Sequence, residues 1–316
     1  MLPNEITKPL IVIIGPTGVG KTEFSLQLAE AVDGEIISAD SRLFYRGMDI
    51  GTAKPTKAEM QRVKHHFIDI ANPDENWSLA LYQEAIHAMI EDIHARRKVP
   101  MMVGGTGQYI KAILEGWRLP EQEPDDHLRE VLEQIAKEKG KEAMYKILVR
   151  MDPQTLTYVE YQNTRRVVRA LEVILRTGKP FSELRQQSHV PYDIFQVGIK
   201  RDRKSLYERI DLRIEKMFDD GLVDEVQRLL DAGYQRTLPA MSAIGYREVT
   251  AYLAGDISLD EAKMLMRRYT RQYVRRQANW FKENDPLIHW FDADTLDVTI
   301  VQNLLQDPQN WQVHQK

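Results

Sequence analysis

Short apolar runs alternate with amphipathic segments through the first third of the chain. Each run is only four or five residues long, which favours buried strands over helices. Between the runs, apolar residues recur at helical spacing, as in Phe24, Leu28 and Ala31. Strands that alternate with helices predict an α/β fold with a doubly wound parallel sheet. The predicted strands are residues 10–14, 35–38, 67–70 and 99–103.

The pattern changes after Gly116. From about residue 125 to residue 190 every periodic segment has helical spacing, and strand-like alternation returns only at residues 193–200. Further helices are predicted at residues 203–233 and 258–283, and a last strand at residues 287–291. This order predicts the first part of an α/β core, an all-helical insertion, and the completion of the core with C-terminal helices. The bounds of these three segments are residues 1–116, 117–192 and 193–316.

The chain has 316 residues and no cysteine, which excludes disulfides, cysteine nucleophiles and thiolate metal sites. The apolar run near the N-terminus has only five residues and lacks a basic segment before it, so we expect no signal peptide. No stretch approaches the roughly 20 apolar residues of a membrane helix. We therefore expect a cytoplasmic protein without a membrane partner, and nothing in the sequence requires more than a monomer.

Charge is distributed unevenly along the chain. The formal net charge is −4, yet residues 161–216 and residues 262–283 each carry a net charge of +6. The remainder of the chain is correspondingly acidic. Two concentrated basic stretches in an acidic protein indicate a polyanionic partner, such as a nucleic acid.

A glycine-rich loop follows the first predicted strand and precedes a predicted helix. Its sequence GPTGVGKT fits the pattern G-x-x-x-x-G-K-[ST] in the strand–loop–helix context that this pattern requires. Backbone N–H groups of such a loop converge on phosphate oxygens, and the lysine reaches the same oxygens. We therefore predict a P-loop core with a diphosphate or nucleotide site, with the Thr22 hydroxyl as a ligand of Mg²⁺. The predicted phosphate-binding residues are Gly15, Pro16, Thr17, Gly18, Val19, Gly20, Lys21 and Thr22.

The ends of two other strands supply further candidate groups. Asp40 follows the strand at residues 35–38, whereas the strand at residues 99–103 continues into a glycine-rich segment, residues 104–107, without a carboxylate. Ligands of doubly wound sheets bind at the carboxyl ends of the strands. We therefore expect Asp40 and residues 104–107 to face the phosphate loop.

Six segments occur in a fixed order along the chain: GPTGVGKT, ISADSRLFYRGMDIGTAKP, HHFID, VGGTGQY, RRVVRALE and AIGYRE. Together they resemble the bacterial tRNA dimethylallyltransferases, also called tRNA isopentenyltransferases, over roughly residues 10–283. The resemblance implies transfer of a dimethylallyl group from dimethylallyl diphosphate to N6 of an adenosine in the tRNA anticodon stem-loop. That adenosine is 3′-adjacent to the anticodon, at position 37 of the tRNA, and diphosphate is released.

The resemblance also implies catalytic roles. Lys21 and Mg²⁺ would neutralise charge on the leaving diphosphate, and Arg213 is placed on that diphosphate. Asp40 is the candidate general base for the N6 proton, with a water-mediated Mg²⁺ contact or a helix cap as its alternatives. Thr106 would contact the tRNA near the reacting groups. By spacing alone, Thr106 fits an ordinary turn equally well, and a helical arginine such as Arg213 is usually a solvated surface residue.

An adenine inside the anticodon loop must swing out to reach a buried diphosphate. Residues 40–43 and 242–247 resemble segments that grip the extruded base, with Tyr246 as a stacking face and Arg247 as a cationic plane. Arginines also repeat every four residues on the predicted helix at 258–283, without an acidic residue among them, which favours contact with the phosphate backbone. We expect the aromatic residues of the same segment to pack in the core: Tyr269, Tyr273 and Trp280. The expected tRNA-binding residues are Asp40, Ser41, Arg42, Leu43, Thr106, Arg129, Arg165, Arg166, Val167, Val168, Arg169, Ser242, Ala243, Ile244, Gly245, Tyr246, Arg247, Arg267, Arg271 and Arg275.

Three other functions remain open at this point. A P-loop small-molecule kinase would need an acceptor pocket and a mobile arginine lid, and it would leave the two basic stretches unexplained. An adenylate isopentenyltransferase would use the same donor with a free adenine nucleotide. It would not need the arginine stripe, which consists of Arg267, Arg271 and Arg275. A non-catalytic tRNA-binding or nucleotide-switch protein would not depend on Asp40.

Overall fold

The computed structural model describes residues 2–117, 125–183 and 188–313. Its strands are β1 (Pro9–Ile14), β2 (Gly34–Ser38), β3 (His65–His66), β4 (Val99–Gly104), β5 (Asp193–Lys200) and β6 (Ile288–Asp292). They form one parallel sheet in the order β3-β2-β4-β1-β5-β6. The long, apolar strands β1 and β5 lie in its interior and are buried along almost their whole length. This is the pattern expected of parallel strands that are covered by helices on both faces.

Helices connect the strands and form the rest of the described chain. They are α1 (Lys21–Val32), α2 (Lys57–Arg62), α3 (Leu79–Ala95), α4 (Gly107–Leu114), α5 (Asp126–Lys139), α6 (Lys141–Met151), α7 (Thr164–Thr177), α8 (Arg203–Asp219), α9 (Leu222–Asp231), α10 (Tyr246–Leu253), α11 (Leu259–Gln277) and α12 (Val298–Leu305). Within the described ranges, none of them combines the length and the apolar character that a membrane-crossing helix needs.

The chain divides into two compact units. Residues 1–114 and 191–316 form the unit that contains the sheet, and residues 115–190 form the other. The second unit is helical and has an apolar core of its own, to which α6 contributes Leu148 and α7 contributes Leu171. The predicted fold class, a P-loop α/β core with an inserted helical segment, is confirmed.

Three predicted elements differ from the observed ones. The third strand was predicted at residues 67–70 but lies at His65–His66, because Phe67 and Asp69 have positive φ values of 60° and 54° that end the extended backbone. The helix predicted at residues 203–233 is two helices, separated at Gly221 with φ 97°. The helix predicted to reach residue 283 ends at Gln277.

The parallel arrangement brings three loops to one edge of the sheet. Ile14 of β1 lies beside Gly104 of β4, and Ser38 of β2 lies beside Val103 of the same strand. The carboxyl ends of β1, β2 and β4 therefore meet where the phosphate loop, Asp40 and residues 104–107 begin. Doubly wound sheets bind their ligands at this edge.

Candidate active site

Residues 15–20 form a tight loop between β1 and α1. Gly18 and Gly20 have φ values of 81° and 115°, a region of backbone conformation that residues with a side chain rarely adopt. Gly20 directly precedes α1, so the loop and the positive end of the helix dipole face the same point. The predicted phosphate loop therefore has the backbone geometry that an anion site needs.

Lys21 folds back across this loop. Its Nζ donates to the carbonyl oxygens of Gly15 at 2.8 Å and Pro16 at 2.9 Å. Burial lowers the pKa of Lys21 to about 8; the negative charge of Asp40 opposes this shift, and the positive charge of Arg213 adds to it. The ammonium is poorly solvated, so an anion that enters the loop would stabilise its charged form.

A cavity of about 410 Å³ opens beside the phosphate loop. Lys21, Thr22, Asp40 and Arg213 all line it, so four residues with predicted roles in the chemistry share one space. They come from helix α1, the loop after β2, and helix α8. The fold thus brings together groups that are almost 200 residues apart in the sequence.

Part of the cavity wall is apolar. Leu43, Ile68, Val103 and Leu212 line it, and Leu212 is 72% exposed although it is a leucine. Pockets for small molecules usually combine such an apolar lining with a few polar groups that fix orientation. A phosphate cradle beside an apolar wall fits a ligand that carries both a diphosphate and a short hydrocarbon group.

Asp40 lies just beyond the end of β2 and is half-buried. Its Oδ1 accepts a hydrogen bond from the N–H of Arg42 at 3.1 Å, and its own N–H donates to Ser38 Oγ at 3.3 Å. Burial lowers the pKa of both Lys21 and Arg213, and in each case the charge of Asp40 acts in the opposite direction. The carboxylate therefore lies within electrostatic reach of both cations.

Helix α8 contributes two arginines to the cavity. Arg213 is partly buried and lines the cavity, so it is not a solvated surface arginine, and burial lowers its pKa. Arg209, one turn before it, also lines the cavity, and its Nε donates to the carbonyl oxygen of Gly18 at 3.2 Å. Sequence reasoning missed Arg209, although residues four apart lie on one helix face and this spacing was a usable signal.

Thr106 is not among the described residues that line the cavity. It directly precedes α4, and its side chain lies close to that of Tyr273 on α11. Burial, together with the charge of Asp40, raises the pKa of Tyr273 to about 12, so this tyrosine lies near the reaction site. The prediction that Trp280 packs in the core is wrong. Its ring lies against Gly107 and is 39% exposed.

The first segment predicted to grip the base contacts the chain just before the second segment. Arg42 Nη1 donates to the carbonyl oxygen of Pro239 at 2.9 Å, across 197 residues of sequence. Ser41 and Leu43 are partly exposed on either side of Arg42, and Ser242 is exposed on the other segment. Arg42 thus holds the chain that follows Asp40 close to residues 239 and 240, which precede the second segment.

The prediction of a stacking face at Tyr246 is wrong for this structure. Its ring is fully buried, and its hydroxyl donates to Glu225 Oε1 at 2.6 Å. Arg247 is half-exposed and lies over the ring of Tyr269, 4.4 Å from the guanidinium carbon to the ring centroid. The predicted cationic plane is therefore accessible, whereas the aromatic one is not. The rest of the segment is buried or partly buried: Ala243, Ile244 and Gly245.

In the helical insertion, only part of the predicted tRNA-binding segment is accessible. Arg165 and Arg166, on the first turn of α7, are exposed. Val167 and Val168 are buried in the core of that unit, so their side chains cannot contact tRNA. Helical periodicity explains the difference, since residues one or two positions apart on a helix point in different directions.

Arg129 and Arg169 have a structural partner within the insertion. Arg129 Nε and Arg169 Nη1 donate to Glu172 Oε2 at 2.7 and 2.8 Å. Glu172 is fully buried, and its other oxygen accepts from the N–H of Asp125 at 2.9 Å. Both arginines thus neutralise a buried carboxylate, a role that the sequence did not predict.

Two of the three arginines of the stripe on α11 form ion pairs with acidic residues. Arg267 forms an ion pair with Glu215, and Arg271 forms one with Asp211, both on the neighbouring helix α8. The sequence argument counted acidic residues only along the stripe's own helix and therefore missed these partners. Arg275 is exposed and has no acidic partner among the described residues, so it is the stripe residue most available to a phosphate.

The sequence matches a known family over most of its length. The model of the family described as IPP transferase matches residues 43–284. A curated tRNA dimethylallyltransferase of Roseiflexus sp. is 49% identical over 290 residues, which cover 92% of this chain and 95% of the relative. One of Dehalococcoides mccartyi is 43% identical over 309 residues, covering 96% and 95%.

Solved structures agree with the sequence matches. The tRNA isopentenylpyrophosphate transferase of Bacillus halodurans superposes with a TM-score of 0.69 at 39% identity, covering 94% of each chain. A eukaryotic dimethylallyltransferase, crystallised while acting on tRNA, superposes with a TM-score of 0.77 at 28% identity, covering 94% of this chain and 77% of that one. The chain belongs to the IPP transferase family.

Proposed function

We propose that this member of the IPP transferase family transfers the dimethylallyl group of dimethylallyl diphosphate to N6 of a tRNA adenosine, the one 3′-adjacent to the anticodon. The curated relatives are named for this transfer. The observation that carries the proposal is the single cavity in which Lys21, Asp40 and Arg213 meet an apolar wall. The phosphate loop suits the diphosphate, and the apolar wall suits the five-carbon allyl group.

The charges around the loop match the charge that develops in this reaction. The bond between the allylic carbon and the diphosphate oxygen breaks, and a bond between that carbon and N6 forms. Diphosphate leaves with both electrons of the broken bond, so negative charge grows on the oxygen that was bonded to the allylic carbon. Lys21 and Arg213 are in place before the reaction, and preorganised charges of this kind stabilise a transition state strongly.

Asp40 would accept the proton that N6 loses. The lone pair of the adenine amine is delocalised into the ring, so N6 attacks well only if a base takes its proton as the new bond forms. The carboxylate of Asp40 lies in the same cavity as Lys21 and Arg213, with Oδ1 held by the N–H of Arg42. Its position suits proton transfer at the point where the two substrates meet.

The donor set beside the loop fits Mg²⁺. The Thr22 hydroxyl lines the cavity, and no cluster of three or more histidine, aspartate or glutamate side chains suited to a metal occurs in the described part of the chain. Mg²⁺ sites of this kind use one or two protein oxygens, and substrate phosphates and water complete the shell. When bound, the ion would add positive charge next to the leaving diphosphate.

The tRNA would approach the edge of the sheet where Asp40 lies. Ser41 and Arg42 are partly exposed there, and Ser242 and Arg247 are exposed on the segment that follows the contact of Arg42 with Pro239. Guanidinium planes and backbone groups suit the recognition of unpaired RNA bases. Arg275 supplies a free positive charge on α11 for the phosphate backbone.

A transfer assay tests the proposal. Labelled dimethylallyl diphosphate is incubated with the enzyme, Mg²⁺ and an unmodified anticodon stem-loop, with AMP in a parallel reaction. We expect label on the stem-loop alone, and none on a matched stem-loop with guanosine in place of the target adenosine. Label on AMP alone would indicate an adenylate isopentenyltransferase instead, and label on neither acceptor would contradict the proposal.

A further inference from the structure

Gln277, the last residue of α11, joins two loops of the active site. The N–H of Thr17 donates to its Oε1 at 2.9 Å, and its Nε2 donates to the carbonyl oxygen of Gly105 at 2.9 Å. Its side chain is buried, with only 7% of the residue exposed. Thr17 belongs to the phosphate loop, and Gly105 lies between Gly104, which lines the cavity, and Thr106.

A primary amide suits this pair of contacts. The side chain must accept a hydrogen bond from the backbone N–H of Thr17 and at the same time donate one to the backbone carbonyl of Gly105. A carboxylate can only accept, and a thioether such as methionine is a weak acceptor without a donor. The site is also shaped for the amide, because a Cβ on residue 105 would lie 2.1 Å from Gln277 Nε2. Glycine at position 105 is therefore necessary for the close approach.

The same helix approaches the loop at residues 104–107 at a second point. Tyr273, one turn before Gln277 on α11, lies close to the side chain of Thr106. Gln277 and Tyr273 thus both lie next to this loop, while Arg275, between them in the sequence, is exposed. One helix connects a surface suited to RNA phosphates with both loops that border the cavity.

We infer that Gln277 is a positioning residue that holds the phosphate loop and the loop at residues 104–107 at a fixed separation. The inference deepens the proposed function, on which it rests for the identity of the substrates. Gln277 is not among the described residues that line the cavity. It sets the orientation of the Thr17 N–H and of the Gly105 carbonyl, and so the width of the site that receives the diphosphate.

The test compares Gln277→Met and Gln277→Glu with wild type. The first measurement is the binding of inorganic diphosphate with Mg²⁺ by calorimetry, which requires no transferase activity. We expect diphosphate affinity at pH 8 to fall at least tenfold in both variants. Gln272→Met on the same helix is the control for α11, and it should bind diphosphate like wild type. tRNA affinity within threefold of wild type shows that the variants are folded.

The pH dependence of Gln277→Glu separates positioning from a general loss of packing. A protonated glutamic acid can both accept and donate, as glutamine does, whereas the carboxylate cannot donate. The ratio of wild-type to Gln277→Glu affinity, taken at the same pH, should therefore shrink as the pH falls from 8 to 5. Gln277→Met should show no such recovery. Because both proteins are measured at the same pH, the protonation of diphosphate affects both affinities equally and does not change the ratio.

Two results would overturn the inference. One is diphosphate affinity within twofold of wild type in Gln277→Met. The other is a Gln277→Glu defect that is independent of pH. If the enzyme binds diphosphate in a Gln277-dependent way but labels no tRNA, the proposed function fails and the positioning role stands.

Discussion

The hydroxyl of Tyr246 donates to the carboxylate of Glu225 at 2.6 Å, and both side chains are buried. Glu225 also accepts hydrogen bonds from the backbone N–H groups of Asp49, Ile50 and Gly51 at 3.0, 2.8 and 3.2 Å. The Glu225 carboxylate thus connects residues 49–51, in the loop after Asp40, to Tyr246 at the start of α10. Tyr246 supports the surface beside the active site from within instead of stacking on a base.

Tyr246→Phe should lower stability and leave RNA binding intact. Removal of one hydrogen bond to a charged group costs about 1.5–3 kcal/mol, and the three backbone donors keep Glu225 satisfied. Urea unfolding measures the loss of stability. Affinity for the anticodon stem-loop, measured where the variant is folded, should stay within twofold of wild type. A stable variant with strongly reduced RNA affinity would restore the stacking role.

Diphosphate binding should weaken above pH 8. Burial lowers the pKa of Lys21 to about 8, so at higher pH the free enzyme carries a neutral lysine and must take up a proton when the anion binds. We expect the affinity advantage of wild type over Lys21→Met to shrink by up to about tenfold per pH unit above 8. Calorimetry from pH 7 to 10 measures the diphosphate affinity of both proteins. Because the protonation of diphosphate changes both affinities equally, their ratio reports on Lys21 alone. A constant ratio would show that Lys21 keeps its charge in the free site.

Arg275 should contribute more to tRNA binding than Arg271. Arg271 is paired with Asp211, whereas Arg275 is exposed without an acidic partner among the described residues. Each phosphate contact contributes a slope of about 0.7–0.9 to the dependence of log affinity on log salt. Arg275→Ala should reduce the slope by about that amount. Arg271→Ala should change the slope less and lower stability, and equal slopes in the two variants would contradict the assignment.

Glu172 should stabilise the helical insertion in a pH-dependent way. Burial alone would raise its pKa, but hydrogen bonds from Arg169, from the N–H of Asp125 and from Arg129 outweigh it and lower the pKa. Because the folded pKa is lower than the unfolded one, the stabilisation is present above about pH 4.5 and is lost as the pH falls further.

Glu172→Gln should remove this pH dependence and cost about 3–5 kcal/mol at neutral pH, since it breaks a buried ion cluster. Thermal unfolding between pH 3 and pH 7 measures both effects. If the variant retained the acid sensitivity of wild type below pH 4.5, another carboxylate would be responsible.

The sequence predicted the core of the fold well, because apolar periodicity and the phosphate loop are local signals. The strands β1, β2, β4, β5 and β6 lie within about a residue of their predicted bounds. The third strand was misplaced because Phe67 leaves the sheet and packs with Phe44 and Tyr82. Burial of an aromatic ring in that cluster depends on tertiary packing, which periodicity does not report.

The sequence predicted those residues of the site that directly follow a predicted strand, but not the contacts between distant elements. Lys21, Thr22, Asp40 and Arg213 do share one cavity, although Arg213 could be assigned only through family resemblance. The partners of Arg129, Arg267 and Arg271 lie on other elements, so no pattern along one helix reveals them. Gln277 was missed for the same reason, because its hydrogen-bond partners are 260 and 172 residues away in the sequence.

The most direct test of the account is single-turnover transfer by Asp40→Asn. The amide matches the size of the carboxylate but cannot accept the N6 proton, and a general base typically contributes a factor of about 10²–10⁴. We expect the rate of label transfer to the stem-loop to fall at least a hundredfold, with the affinities for dimethylallyl diphosphate and RNA within threefold of wild type. A transfer rate within threefold of wild type, with both substrates bound, would show that Asp40 is not the base.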